Sequence, residues 1–169
     1  MEYPDLSALP AELRDAVAAH GSLNVYRMVM HSPNLAPGLL TFGDAILQAN
    51  SLPPAWRELA ILRVGHVHGA GYQTHHHERI ARSAGLADAS IAAAATGSVD
   101  GLPAGEAAVL VATDRLLTRH TLGGSERDDA LVHLTVNQLG DLVFTVGFYQ
   151  LVATFLNTFD VTTDGEPAP

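Results

Sequence analysis

Residues 57–77 read RELAILRVGHVHGAGYQTHHH, and this stretch decides how the chain folds. Its apolar residues recur at helical spacing as far as Gly69, and a second helical pattern begins at Tyr72 and closes at Gly85. The segments on either side also have helical periodicity, with proline and glycine at their boundaries, and none alternates like a half-buried strand. The sequence therefore predicts an all-α domain of about seven to nine helices.

The other helix boundaries follow from the same signals. Helices are predicted at about Pro10–Gly21, Leu23–Met30, Asn34–Gln48, Pro54–Gly69, Ala87–Ala95, Ala104–Arg119, Ser125–Leu134 and Asn137–Phe159. Ser125, with Asp128 three residues later, resembles a capping box. The most apolar stretch, Leu139 to Leu156, is interrupted by Gly140 and Asp141, which predicts a buried helix and no membrane span.

Composition limits the function classes. The chain has 169 residues, the size of one domain, with 47% hydrophobic and 16% charged residues. This apolar balance predicts a homo-oligomer whose subunits cover part of the surface. A formal charge of -9 argues against nucleic acid as a partner. The first residues carry no secretory signal pattern, so a cytoplasmic protein that acts on a small molecule is expected.

Two residue types are missing from the chain. There is no cysteine, and all nine basic residues are arginines, so there is no lysine either. Thiolate nucleophiles, disulfide relays and lysine Schiff bases are therefore excluded as mechanisms.

Glu58 and His77 are the candidate catalytic residues. Glu58 lies within an apolar helix, where a buried carboxylate needs a partner or a raised pKa. A structural interpretation pairs it with an arginine such as Arg57, Arg63 or Arg82. His77 shares a helix face with apolar residues, and such a histidine is more often a satisfied core residue than a catalyst.

The spacing of these residues resembles the motif of the carboxymuconolactone decarboxylase and alkylhydroperoxidase D-like family. That motif is a glutamate, an interval, Cys-x-x-Cys and a histidine four positions on. This chain has the matching Glu58 and His77, with Gly69 and Tyr72 also in place. Ala70 and Gln73 stand at the two cysteine positions. The chain is therefore identified as a cysteine-less member of the family.

The resemblance extends over residues 35–161, because Leu142 to Phe159 is similar to the family's final helix and His120 to Asn137 to the segment before it. It implies an alkylhydroperoxidase D-like helical domain at 35–161, with a helical extension at 1–34 and a mobile tail at 162–169. Family members commonly form trimers or hexamers, so either assembly is expected.

The family's decarboxylase branch needs no thiol. The resemblance thus implies a cofactor-independent enzyme that acts on a small carboxylated lactone or a similar oxygenated acid. In the predicted mechanism His77 is the acid or base, and Glu58 orients it. Tyr72 or His68 would donate a hydrogen bond to the substrate oxygen.

Alternative functions remain open. The chain could be a helical ligand-binding or assembly protein that has lost catalysis with its thiols. It could also be a metal-dependent lyase or hydrolase, since His66, His68, His76 and His77 are residue types that bind metals. Residues 75–77 are three consecutive histidines. Consecutive residues of a helix point about 100° apart, so at most one or two of these three side chains can converge on a single ion. Peroxidase activity would rest on the family name alone, because peroxide reduction through sulfur requires a thiolate.

Overall fold

A computed structural model gives the structure of the chain and describes residues 1–165. These residues form α-helices and one short 3-10 helix at Leu6–Ala8, with no strand. The α-helices are α1 (Ala11–Ala19), α2 (Asn24–Val29), α3 (Ala36–Gln48), α4 (Pro54–Val67), α5 (Gly71–Ser83), α6 (Asp88–Thr96), α7 (Ala104–Arg119), α8 (Gly124–Leu131) and α9 (Val136–Thr158). The all-α prediction is confirmed.

Helix α4 is the centre of the fold. It packs against α5, α6, α7 and α9. Its residues 59–62 are Leu, Ala, Ile and Leu, and all four are completely buried. A helix that is apolar on every side is stable only when other helices surround it. The carboxylate of Glu58, one residue earlier, is therefore carried into the core with them.

Two helices begin with caps that the sequence analysis did not predict. Helix α8 begins at Gly124, and the backbone N–H of Gly123 donates to Glu126 Oε2 at 2.9 Å. The predicted capping box of Ser125 with Asp128 is therefore wrong, because the carboxylate that reaches back comes from Glu126. Helix α9 has a capping box that the sequence analysis missed, in which Thr135 Oγ1 accepts from the backbone N–H of Gln138 at 3.2 Å.

Helix α9 combines a buried face with an exposed apolar face. It is the one helix within residues 1–165 that is long and apolar enough to cross a membrane. Leu142, Val146 and Ala153 are nonetheless buried in the hydrophobic core, and the helix packs on α3, α4 and α7. Helix α9 therefore belongs to the core on one face only, whereas the sequence analysis predicted a buried helix.

The single tryptophan packs where α4 meets α7. Trp56 lies in the first turn of α4 and contacts the first turn of α7 at Gly105. A Cβ atom at position 105 would overlap the indole ring. Glycine is therefore required at this position for α4 and α7 to approach each other so closely.

The chain ends pack on one side of the core. Val17, Met30 and Leu40 form a second hydrophobic cluster that joins α1, the end of α2 and α3. Residues 162–164 of the predicted mobile tail contact α2: Asn24 Nδ2 donates to the carbonyl of Thr162 at 3.0 Å, and its backbone N–H donates to Asp164. The rest of the predicted tail, 166–169, lies outside the described residues. The mobility of the tail and the boundary at residue 34 stay predictions.

Candidate active site

The turn between α4 and α5 brings Glu58 and His77 together. Gly69 adopts a φ of 62°, a left-handed conformation that costs glycine little, and it ends α4 so that α5 can fold back along it. Across this helix pair His77 Nδ1 lies 2.6 Å from Glu58 Oε2. The two residues that the sequence analysis named as a catalytic pair are therefore in direct hydrogen-bond contact.

The second carboxylate oxygen of Glu58 binds Arg57. Arg57 Nε and Nη2 lie 3.1 Å and 3.0 Å from Oε1, and Nη1 donates to the carbonyl of Leu47 at 2.7 Å. The Glu58 side chain is 0% exposed. A carboxylate at this depth requires a countercharge and hydrogen bonds, and Arg57 supplies both. The structural and the catalytic interpretations of Glu58 are thus compatible, since each oxygen has its own partner.

Beside His77 lies a cavity of about 180 Å³. Its walls come from α2, α3, α5 and α9, and most of its lining is aliphatic or aromatic. The polar side chains that line it include His77, Gln73, Tyr149, Asp44 and Arg79. Because Nδ1 of His77 is occupied by Glu58, Nε2 is the nitrogen left for a ligand. An apolar cavity with a few converging polar groups is typical of small-molecule sites.

Tyr149, on α9, also lines the cavity. Its ring packs edge to face against His77, with the ring centroids 5.0 Å apart. Burial raises the pKa of the Tyr149 hydroxyl well above its usual value, and the nearby Glu58 carboxylate adds to the effect. The hydroxyl therefore keeps its proton at neutral pH. Its sequence signal was an aromatic residue in an apolar helix, which does not separate a cavity wall from a core.

Tyr72 lines the same cavity, but its hydroxyl has a protein partner. It donates to Asp164 Oδ2 at 2.8 Å and accepts from the backbone N–H of Val25 at 3.4 Å. Burial and then the bond to Asp164 raise the pKa of Tyr72. The sequence analysis predicted that the Tyr72 hydroxyl donates to a substrate oxygen. In the structure this hydroxyl donates to Asp164 instead.

The other predicted histidines do not gather around His77. His68 does not line the cavity, and its Nε2 is buried without a hydrogen-bond partner in residues 1–165. His76 Nε2 lies 2.8 Å from Asp164 Oδ2, an ion-pair distance at an angle unsuited to a hydrogen bond. Within the described part of the chain, no three His, Asp or Glu side chains group as a metal site would, so the arrangement gives the metal hypothesis with His66, His68, His76 and His77 no support.

His66 and His76 predict how stability depends on pH. Burial lowers the pKa of both side chains. Below about pH 6.5, the usual histidine value, the unfolded chain binds protons that the folded chain does not. The free energy of unfolding is therefore expected to fall as the pH drops from about 6.5 towards the two lowered values. Urea unfolding at a series of pH values measures this slope.

The control is a double variant, His66→Gln/His76→Gln, which should have a shallower slope over the same pH window. An identical slope in the wild type and the double variant would contradict the assignment to His66 and His76.

The two positions of the family's cysteines are filled by side chains without redox chemistry. Ala70 is buried in the turn between the helices. Gln73 is also buried, and its Nε2 donates to the carbonyl of Ile61 at 2.8 Å. The glutamine therefore ties α5 to α4 where the motif has a thiol.

Sequence comparison agrees with this geometry. Residues 33–114 match the model of the carboxymuconolactone decarboxylase family, a span that contains Glu58, His77 and the positions of both missing cysteines. This segment belongs to the carboxymuconolactone decarboxylase family. No curated protein shows significant similarity to the chain.

Solved structures share the fold of the chain. An alkylhydroperoxidase AhpD core, a peroxidase-related protein from Ralstonia eutropha JMP134, superposes with a TM-score of 0.87 at 18% identity, covering 98% of this chain and 92% of its own. An AhpD-type protein of unknown function from Agrobacterium tumefaciens superposes with a TM-score of 0.73 at 15% identity, covering 82% of this chain and 96% of its own. At such identities the likeness establishes the fold alone.

Proposed function

We propose that the chain is a cofactor-independent acid–base enzyme that removes CO2 from a small carboxylated lactone or a similar oxygenated acid. The observation that carries this proposal is the buried Glu58–His77 pair beside the apolar cavity. Glu58 accepts from His77 Nδ1 and so fixes the ring orientation and tautomer. Nε2 is then the atom that exchanges a proton with the substrate.

The reaction needs an acid and a site for developing negative charge. When the substrate carboxylate leaves as CO2, the electron pair of the broken carbon–carbon bond moves towards the conjugated carbonyl and forms an enolate. Protonated His77 then gives the Nε2 proton to carbon, the carbonyl forms again, and His77 takes a proton from solvent. Overall, a proton from solvent replaces the carboxylate on the substrate carbon, and one CO2 is released. Glu58 stabilises the imidazolium that exists before the transfer.

Arg79 supports an acidic substrate. It lines the cavity from α5 and is exposed, and its guanidinium makes no ion pair within residues 1–165. The guanidinium of Arg57, by contrast, is already engaged by Glu58 and Leu47. Asp44, the carboxylate on the cavity wall, is paired with His20 at 3.1 Å. A carboxylated ligand would therefore find its cation in Arg79.

Peroxide reduction does not fit the chain. The reaction requires a thiolate that is oxidised and then regenerated. The chain has no cysteine, and Ala70 and Gln73 occupy the motif positions. The alternative that the apolar cavity favours is non-catalytic ligand binding, in which Glu58 and His77 would serve only as structural partners.

A direct experiment separates these two functions. The purified chain is incubated with a panel of carboxylated unsaturated lactones and related keto acids, and CO2 release is measured together with ligand binding by calorimetry. Release of CO2 from a panel member supports the enzyme. Binding without any release supports a ligand-binding protein, and peroxide consumption by the same sample would overturn the redox exclusion.

We further propose that the exposed apolar face of α9 binds a second copy of this chain. Val136, Val143, Phe144 and Leu151 are all exposed, and their seven- and eight-residue intervals place them along one side of the helix. Phe42 of α3 extends this face by packing edge to face on Phe144. An apolar stripe of this length is typical of surfaces between subunits.

Light scattering tests the assembly. The wild type should have a mass that is a multiple of 17.8 kDa, and Phe144→Arg should shift it towards the monomer, because a charge on this face would be desolvated in the interface. Thr118→Arg adds the same charge to an exposed position on α7 and should not change the mass. A monomeric wild type would contradict the proposal.

A further inference from the structure

The cavity contains two tyrosines whose hydroxyl groups differ in what they bind. Tyr72 donates its proton to Asp164, at 2.8 Å. Tyr149, on α9, makes no hydrogen bond through its hydroxyl with any residue in 1–165. The two side chains line the same cavity, so a ligand oxygen placed there would meet one committed donor and one donor without a protein partner.

The unpartnered hydroxyl of Tyr149 is unusual because of its burial. The residue as a whole is 4% exposed, and a polar group in so buried a side chain usually has a hydrogen-bond partner. A group bound in the cavity would supply this partner by accepting the hydrogen bond. The ring itself is held firmly, since it packs edge to face against both His77 and Phe148.

We propose that Tyr149 donates the hydrogen bond to the carbonyl oxygen of the substrate, the role for which the sequence analysis named Tyr72 or His68. This inference rests on the proposed function and names the group that stabilises the negative charge formed in the reaction. The enolate that forms on loss of CO2 places negative charge on that oxygen. A fixed donor stabilises this charge more strongly than the neutral carbonyl, and so lowers the barrier.

The position of Tyr149 also narrows the class of substrate. Its ring lies 5.0 Å from the ring of His77, and both side chains line the same cavity. A small unsaturated lactone or ketone, in which the carbonyl oxygen and the carbon that receives the proton belong to one conjugated unit, would meet both side chains. Its carboxylate would then extend across the cavity towards Arg79, which lies two residues after His77 on α5 and also lines the cavity.

Tyr149 keeps its proton at the pH where this donor is needed. Burial raises its pKa, so the group is a neutral O–H at neutral pH and does not compete with His77 as an acid or base. Its part is to stabilise charge, while proton transfer to carbon stays with His77.

The test uses a butenolide with an acid side chain as the probe, and infrared spectroscopy of its carbonyl in the bound state. A hydrogen bond from Tyr149 should shift the carbonyl band to lower frequency in the wild type. Tyr149→Phe removes only the hydroxyl and keeps the ring against His77, so the protein should fold and the shift should disappear. Tyr72→Phe is the matched control and should keep the shift.

Kinetics provide a second measurement on any lactone that the protein converts. Tyr149→Phe should lower kcat by about 10²–10³-fold, the loss expected for one donor to a developing oxyanion, with a smaller change in KM. Tyr3→Phe removes the hydroxyl of a tyrosine that does not line the cavity and should leave kcat in place.

The outcomes separate this inference from the proposed reaction. A shifted band that persists in Tyr149→Phe, or a wild type that does not bind the probe, overturns the role of Tyr149. A shift that depends on Tyr149 without any CO2 release supports the donor and overturns the decarboxylase. Full kcat in Tyr149→Phe together with an inactive His77→Asn leaves the reaction standing and removes Tyr149 from it.

Discussion

Replacing Arg57 with methionine is expected to lower the free energy of unfolding by about 3–5 kcal/mol, the cost of removing one partner from a buried ion pair. The methionine fills much of the arginine's volume but leaves Glu58 Oε1 without a donor. It also removes the hydrogen bond to the carbonyl of Leu47, which ties the end of α3 to α4. Urea unfolding followed by circular dichroism measures the loss.

Two further variants show whether the buried charge is the cause. Arg57→Met/Glu58→Gln removes the charge together with its countercharge and should recover part of the lost stability. Arg82→Met removes an exposed arginine from its contacts with Glu78 and Asp88, and should change stability little because solvent screens such pairs. Equal losses in Arg57→Met and Arg82→Met would mean that Glu58 is not a buried carboxylate.

The largest expected effect on activity comes from His77. His77→Asn should lower kcat/KM by about 10²–10⁴-fold on any lactone that the protein decarboxylates, the usual contribution of a positioned acid or base. Asparagine keeps a polar group near Glu58 but has no proton to exchange at neutral pH. Steady-state CO2 release measures the loss.

Glu58→Gln tests the same pair from its other side. The glutamine amide can donate to Nδ1 of His77, which favours the tautomer with a protonated Nε2, or its oxygen can accept from Nδ1 as the carboxylate did. In either case the neutral amide no longer stabilises the His77 imidazolium. We expect kcat to fall while the probe still binds. His75→Asn, an exposed neighbour on α5, is the matched control and should keep full activity. Unchanged kcat/KM in both His77→Asn and Glu58→Gln would overturn the acid–base assignment.

The sequence predicted the fold and the central pair well because both depend on local spacing. Helical periodicity sets the course of α4 and α5, and the glycine at 69 sets where the turn falls. The separation of nineteen positions between Glu58 and His77 then places them opposite each other. A family motif and a helical pattern describe the same geometry, so the two sources agree.

The rest of the site depends on packing between distant segments, which periodicity does not encode. Tyr149 reaches His77 from α9, and Asp164 reaches Tyr72 from beyond that helix. Arg79 had no sequence signal beyond its charge, since any arginine on a polar face looks alike. The missed cap at Glu126 has a different cause: the N-cap of α8 is Gly123, two residues before the predicted Ser125, and this changes which carboxylate reaches back.

The contact of Trp56 with Gly105 gives the chain a built-in optical probe. Trp56 is the only tryptophan in the sequence. A change in indole emission on unfolding would therefore come from one place. That place adjoins Arg57 and Glu58 and lies between α4 and α7. A fluorescence trace would therefore report the separation of α4 and α7. If it agrees with the trace from circular dichroism, these two helices separate in the same step in which the whole domain unfolds.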